Sequence, residues 1–437
     1  MKGVFTTLIN AFRVPELRKK ILFTLGILLI YQIGGLVPVP GINRIEFTNI
    51  IQSMGQIGQM MDLMSGGGLF AATIFAMGVS PYINASIIIQ LLTVAIPALE
   101  RMAKEGETGK QKIQKITRYA AIGIALLTSS TFCYATRSSM SGLLPGPLNA
   151  MVVIASFVAG TCIVMWLGER INEKGIGNGI SLIIFTGIVT RIPSMAEALF
   201  VYARDISGRF DNAFLGILLA VVFFLVVAGI TLVTVIFVIY VSNAERRVAV
   251  QYSKRVVGRK TYGGQNTYIP LKVNQSGVMP VIFATSLLSL PSMLIGTIFY
   301  NYNNLVVNWF RNFGENPIYY VIFFLLIIGF TFFYSLIQFN PIEIANNLQK
   351  NGGFIPGVRP GKPTSDYIAR TASRLNWVDA MFLAIVCLVP TLIGTITNMP
   401  NVFFAGTSVL ILTGVANDIV KQIESQMVTH HYKGFLD

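Results

Sequence analysis

Apolar runs long enough to cross a bilayer recur along nearly the whole of this 437-residue chain, and they dictate what it can fold into. Inside hydrocarbon no water pairs with backbone N–H and C=O groups, so each run must satisfy its own hydrogen bonds as a helix. At ~20 residues per crossing, the run cores fall at 21–37, 73–97, 119–135, 151–167, 180–192, 214–241, 278–299, 318–339, 378–396 and 402–420. That makes about ten, the fifth short and the sixth long. One passage stops and restarts: in MDLMSGGGLFAATIFAMGVSPYINASIIIQLLTVAIP (61–97), Gly66, Gly67 and Gly68 interrupt the run, Pro81 follows and Pro97 closes it. Glycine tolerates backbone conformations that a straight helix forbids, so the passage reads as a short half-helix, then a spanning helix from Thr73. Irregular backbone must be buried in protein or line an aqueous cavity, which implies a gap inside the fold. A helical hairpin tucked into a bundle is the plainer alternative.

Composition agrees with a polytopic membrane protein. Charged residues make up 12% and hydrophobic residues 53%, with a mean hydropathy of +0.65, whereas a soluble domain carries about 25% charge. Lys2, Arg13, Arg18, Lys19 and Lys20 precede the first run, which lacks a small-residue cleavage site, so that span is expected to be retained. Cys133, Cys162 and Cys387 all fall in apolar runs, where a thiol behaves as a small hydrophobe, and their scatter makes no metal-ligand spacing or disulfide framework.

The net charge of +14 is informative through its distribution. With ten spans, the N-terminus, alternate connections and tail hold 27 of the 33 Lys and Arg residues, and the other connections hold six. The positive-inside rule then places both termini in the cytoplasm. Two connections on that side stand out. Segment 242–272 carries Arg246, Arg247, Lys254, Arg255, Arg259, Lys260 and Lys272, and its alternating RVAVQY and its YGGQ read as a projecting hairpin. Segment 340–376 contains GGFIPGVRPGKP, whose Gly and Pro enforce a turn with Arg359 at its tip. Topology-setting charge explains most basic residues of this kind; Arg359, held between prolines and glycines, is presented rather than dangling.

Motifs for chemistry are few. GETGKQK fails the spacing of a phosphate loop, GIGNG lacks the preceding strand of a dinucleotide site, and no HExxH or GxSxG occurs. The two histidines, His430 and His431, sit in the tail and read as solvated. No enzyme, metal or cofactor is expected. The spans are nearly empty of the ionisable residues that ion-coupled transport requires, with Asp379 and Asp418 expected to be interfacial. They offer instead β-branched pairs: Val79 with Ile83, and Ile180 with Ile184, stack at i, i+4. Such pairs are ordinary core packing in most bundles; facing a constriction, they would form a dewetting collar.

The runs GVSPYINASIIIQLLT (78–93), GIGNGISLIIF (175–185), LKVNQSGVMPVIFATS (271–286) and GFIPGVRPGKPT (353–364) closely resemble the SecY family, the central subunits of the bacterial protein-translocation channel. The resemblance covers nearly the whole chain in order. It implies an all-α polytopic membrane protein of about ten helices in two pseudo-symmetric five-helix halves around a central pore. The divisions are an N-terminus at 1–20, a first half at 21–192, an external loop at 193–213, a second half at 214–420 and a tail at 421–437. The family's pore ring falls on Val79, Ile83, Ile180, Ile184, Ile282 and Ile411. Its plug falls on Met61, Asp62, Leu63, Met64, Ser65, Gly66, Gly67 and Gly68. Its lateral gate, between the second and seventh spans, falls on Pro81, Asn84, Asn274 and Pro280. Docking positions for the ribosome or the motor ATPase SecA match Arg247, Lys254, Arg259, Lys260 and Arg359.

The resemblance further implies SecE-like and SecG-like small membrane subunits, a secretory polypeptide or signal sequence as substrate, release of apolar segments into the lipid bilayer, and residence in the plasma (inner) membrane. Two departures limit the transfer. Phe70 and Ala71 follow Leu69 where some relatives are polar, and Asp366 stands where some are basic. Read from the spans alone, a secondary transporter of two inverted halves is the rival, since its broken helices would fall on the second and seventh spans. The scarcity of intramembrane coupling residues opposes it.

Overall fold

The computed structural model describes residues 11–53, 62, 65–135, 146–208, 213–252, 255–257, 260–262, 266–298, 309, 313, 316–396 and 405–433. Each expected span falls on a helix. In chain order these are α1 (Pro15–Gly34), a short α2 (Arg44–Ser53), α3 (Ser80–Ala95), α4 (Pro97–Lys104), α5 (Glu107–Ala135), α6 (Gly146–Lys174), α7 (Gly179–Gly208) and α8 (Ala213–Asn243). After the strands come α9 (Met279–Ile298), α10 (Pro317–Gln338), α11 (Pro341–Lys350), α12 (Lys362–Ile396) and α13 (Ala405–Lys433). Among the described residues, six helical stretches are long and apolar enough to cross a membrane, or seven if the bent pair α3–α4 is one span. The expected spans on α1, α9 and α13 lie outside that set; α1 and α13 carry charged ends, and the apolar part of α9, Met279–Pro291, is short.

Proline opens several of these helices. Pro15, Pro81, Pro97, Pro317 and Pro341 each stand in a first turn, where the missing N–H costs nothing and the fixed φ suits the helix. Pro97 also bends the chain by 100° between α3 and α4. The first-half helices pack in sequence, α3 on α5, α5 on α6 and α6 on α7, with α1 against α6 and α7. The second half packs α9 on α10, α10 on α12, α12 on α13 and α8 on α13. At the seam α9 lies against α3 and α5, and α13 against α7.

Three expectations are corrected. The second span is not helical from Thr73: residues 65–79 run as turns, and α3 begins at Ser80. Gly66, Gly67 and Gly78 hold positive φ there, and the segment pairs sideways instead, with Val39 N–H bonded to Ala72 O at 2.9 Å and Ile74 N–H to Val37 O at 3.0 Å. The fifth span is not short, because α7 continues through Arg191 and Pro193 to Gly208. The two basic connections are not separate hairpins. Strand β1 (Glu245–Tyr252) pairs antiparallel with β4 (Asn266–Lys272) on one edge and with β5 (Gly353–Phe354) on the other. The short hairpin β2 (Arg255–Val257) with β3 (Lys260–Tyr262) extends from them. Val248, Val250, Leu271, Leu348, Ile355 and Ile368 form a small core beneath this sheet, distinct from the helical core.

The turn segment is seated by close approach. A Cβ at Gly160 of α6 would come within 2.0 Å of the Ile74 carbonyl oxygen. Gly160→Val should therefore overpack this contact at a cost of ~1–3 kcal/mol and lower the thermal unfolding midpoint of detergent-purified protein by several degrees. Gly123→Val, where a Cβ meets nothing, should leave the midpoint near that of the unaltered protein.

Candidate functional site

Four helices from both halves bring β-branched apolar residues to the seam. Val79 caps α3 and accepts the Ile83 N–H at 3.0 Å, so the pair stacks on one face. Ile180 and Ile184 take the same i, i+4 relation on α7, Ile282 enters from α9 and Ile411 from α13. Val79, Ile83, Ile184 and Ile282 are buried, and Ile180 and Ile411 are half-buried against the same apolar cluster. All six belong to one continuous apolar cluster that extends well beyond them into both halves. Contact of this kind is non-directional and dry, so it excludes water without fixing one geometry.

Beside it the 65–79 segment is pinned by a polar knot. Asp62 is fully buried and forms an ion pair with Arg191 of α7. Its Oδ1 accepts the Phe70 N–H at 2.8 Å, and its main-chain oxygen accepts from Gly67 N–H at 2.9 Å and Ser65 Oγ at 3.0 Å. The Ser65 hydroxyl oxygen accepts the Leu69 N–H, and the Tyr31 hydroxyl donates to the Ser65 carbonyl at 3.3 Å. The Arg191 guanidinium also lies over the Phe70 ring, 5.6 Å from its centre. Gly66, with φ +68°, sits so close to Gly187 of α7 that a Cβ would meet the Gly187 Cα at 2.8 Å. Of the expected plug residues, Asp62 and Gly66 meet α7, Ser65 meets Tyr31 of α1, and Gly67 and Gly68 continue the turn; Met61, Leu63 and Met64 lie outside the described residues.

The expected gate positions occupy two helices in contact. Pro81 and Asn84 are buried on α3, and Pro280 is buried at the start of α9. Asn274 precedes α9 and its side-chain oxygen accepts the Gly277 N–H at 2.6 Å, turning the chain into the helix. A cavity of roughly 250 Å³ opens beside this turn, with Asn178, Ser181, Gln275, Gln338 and Gln422 among its lining.

The SecY family model matches residues 73–420. The chain belongs to the SecY family. It is 42% identical to the protein translocase subunit SecY of Streptomyces galbus, over 99% of this chain and all of that one. It is 41% identical to the protein translocase subunit SecY of Mycobacterium tuberculosis strain ATCC 25618 / H37Rv, again over 99% of this chain and all of the relative. Among solved structures its fold is similar to a protein-conducting channel (TM-score 0.61, 20% identity, 94% of this chain and 93% of that one). It is also similar to a SecY whose plug domain stabilises the closed channel and maintains a membrane seal (TM-score 0.62, 19% identity, the same coverage). It is a bacterial multi-pass membrane protein.

In this SecY-family chain the basic residues divide sharply. Arg359 is exposed between Gly357 and Gly361, both in left-handed conformation, and the Thr364 hydroxyl donates to its carbonyl at 2.8 Å. Arg247 is exposed yet already engaged, bonded to Glu245 at 2.8 Å and stacked over Tyr268 at 4.7 Å. The Glu245 hydrogen bond raises the Arg247 pKa further, so its charge is permanent. Lys260 lies on β3, while Lys254 and Arg259 fall outside the described residues.

Burial corrects the expectation that Asp379 is interfacial. Asp418 is exposed, in keeping with an interfacial place, but Asp379 is fully buried on α12, its Oδ2 accepting the Ser276 hydroxyl at 2.6 Å. The partnership of Asp62 with Arg191 was equally unreadable, since 129 positions separate them and Arg191 reads as the end of a run. Removing one partner of a buried pair is strongly destabilising to the structure around it. In a background lacking the native cysteines, Arg191→Gln should make a cysteine placed at the buried Ser65 react with a membrane-impermeant maleimide several-fold faster. An unchanged labelling rate would mean that the pair does not hold the segment.

Proposed function

We propose that this chain is the central subunit of a protein-conducting channel, passing unfolded secretory polypeptides across the membrane and releasing apolar segments sideways into lipid. The observation that carries the reading is the joint placement of an apolar seam, built by α3, α7, α9 and α13, and an irregular segment pinned beside it by the Asp62–Arg191 pair. Val79, Ile83, Ile180, Ile184, Ile282 and Ile411 act as the ring. β-branched apolar side chains resist wetting when nothing occupies the centre and deform around a chain that does. Segment 61–68 acts as the plug.

The lateral gate lies where α9 meets α3. A segment that parts these helices leaves for lipid only if it is apolar enough, at ~25 cal/mol per Å² of apolar area removed from water. The basic bias of alternate connections supports residence in the plasma membrane with both termini on the cytoplasmic side. The sheet carrying Arg247 and the tip carrying Arg359 then face the cytoplasm, where a SecA-like motor or the ribosome supplies the work. Sec61, whose fold is similar (TM-score 0.58, 18% identity), forms a ribosome-channel complex. Small SecE-like and SecG-like subunits clamp the assembly.

The deciding experiment is single-channel conductance in planar bilayers, before and after deletion of residues 61–68. A silent intact channel that conducts on deletion is expected. Silence of a folded, inserted deletion protein, or ion-gradient-driven uptake of small solutes, would overturn the reading. A variant with polar residues throughout the ring should likewise raise resting conductance and loosen signal selectivity. Arg359→Glu should weaken partner binding about tenfold, ~1.4 kcal/mol, in a salt-dependent manner and without loss of abundance.

A further inference from the structure

Asp379 is a buried acid that neither the seam nor the plug employs. It stands on α12, and besides the Ser276 hydroxyl its carboxyl faces the backbone amides of Ser276 and Gln275. Gln275 is held from the opposite side, its Oε1 accepting the Ser335 hydroxyl of α10 at 3.3 Å. The loop so gripped has sharp internal shape: Asn274 closes on Gly277, whose φ of +64° returns the chain into α9. Its other end is tied to the sheet, because Val273 N–H bonds Ala244 O at 2.9 Å and Lys272 closes β4. Residues 273–278 therefore join the sheet that presents Arg247 directly to the helix that carries Pro280 and Ile282.

Within this knot Gln275 Nε2, Asn376 Oδ1 and Asp379 Oδ1 are buried without a protein partner. Asn376 lies one turn before Asp379, on the same face of α12. A donor and two acceptors in reserve let a shifted loop exchange hydrogen bonds rather than forfeit them, which is what a two-position element requires.

We infer that Asp379 is a positioning residue that holds the resting placement of the gate helix α9 through loop 273–278. The inference rests on the channel reading. Its test uses the full-length chain reconstituted with its small membrane subunits and its ATP-driven partner in proteoliposomes, comparing Asp379→Asn, Ser276→Ala and the double variant. At normal abundance and unchanged partner affinity, each single variant should pass a substrate with a weakened signal segment about fivefold more readily than the unaltered channel. The double variant should go no further, because both changes cut one interaction. A strict signal requirement retained by both single variants overturns the inference, and so does loss of abundance in both, which would make the contact a folding element alone. Unaltered protein that fails to translocate at all would overturn the channel reading instead.

Discussion

Backbone that is neither helix nor closed sheet can sit among membrane spans only if protein satisfies its polar groups, and this constraint governs the centre of the molecule. Residues 65–79 meet it by three means: bonds within the turns, a bridge between Thr73 and Pro38, and the Asp62 carboxylate on the Phe70 N–H. The last requires Arg191 to neutralise Asp62, which requires α7 to run past Arg191 as helix. Gly66 and Gly160 then let backbones approach where a side chain would intervene. The segment is thus held by polar contacts specific to one placement, next to an apolar seam that specifies none. That contrast suits an element that leaves and returns.

The second organising fact is the joining of two distant connections into one sheet. β5 comes from the loop after α11, yet it completes the edge of β1. The sheet is therefore a single body with its own apolar core, joined to the start of α9 by loop 273–278 and to the middle of α12 through the Ser276–Asp379 contact. A rigid body conveys displacement where two independent hairpins would absorb it.

Much of this was legible in the chain because the bilayer makes hydropathy nearly decisive. Every expected span found its helix, and the motifs around Pro81, Ile180, Pro280 and Arg359 sat on the elements they implied. The misreadings share one cause. The apolar neighbours of Thr73 predict a helix there, but its backbone pairs across space with Pro38; the fifth run reads as ending at Ile192, but α7 continues through Pro193 to Gly208 with the Arg191 charge within it cancelled by Asp62. Asp379 reads as interfacial, although Ser276 was waiting for it.

From residues alone followed whatever depends on local periodicity and transfer free energy: the helical class and the order of the apolar runs, the charge bias that implies sidedness, the family, and the β-branched positions at i, i+4. Tertiary structure alone decided which polar groups meet. The pairing of Asp62 with Arg191, of Asp379 with Ser276 and of β1 with β5 joins residues far apart in sequence. A hydrogen bond or ion pair depends on atomic proximity, whereas hydropathy averages over a window and records no partner.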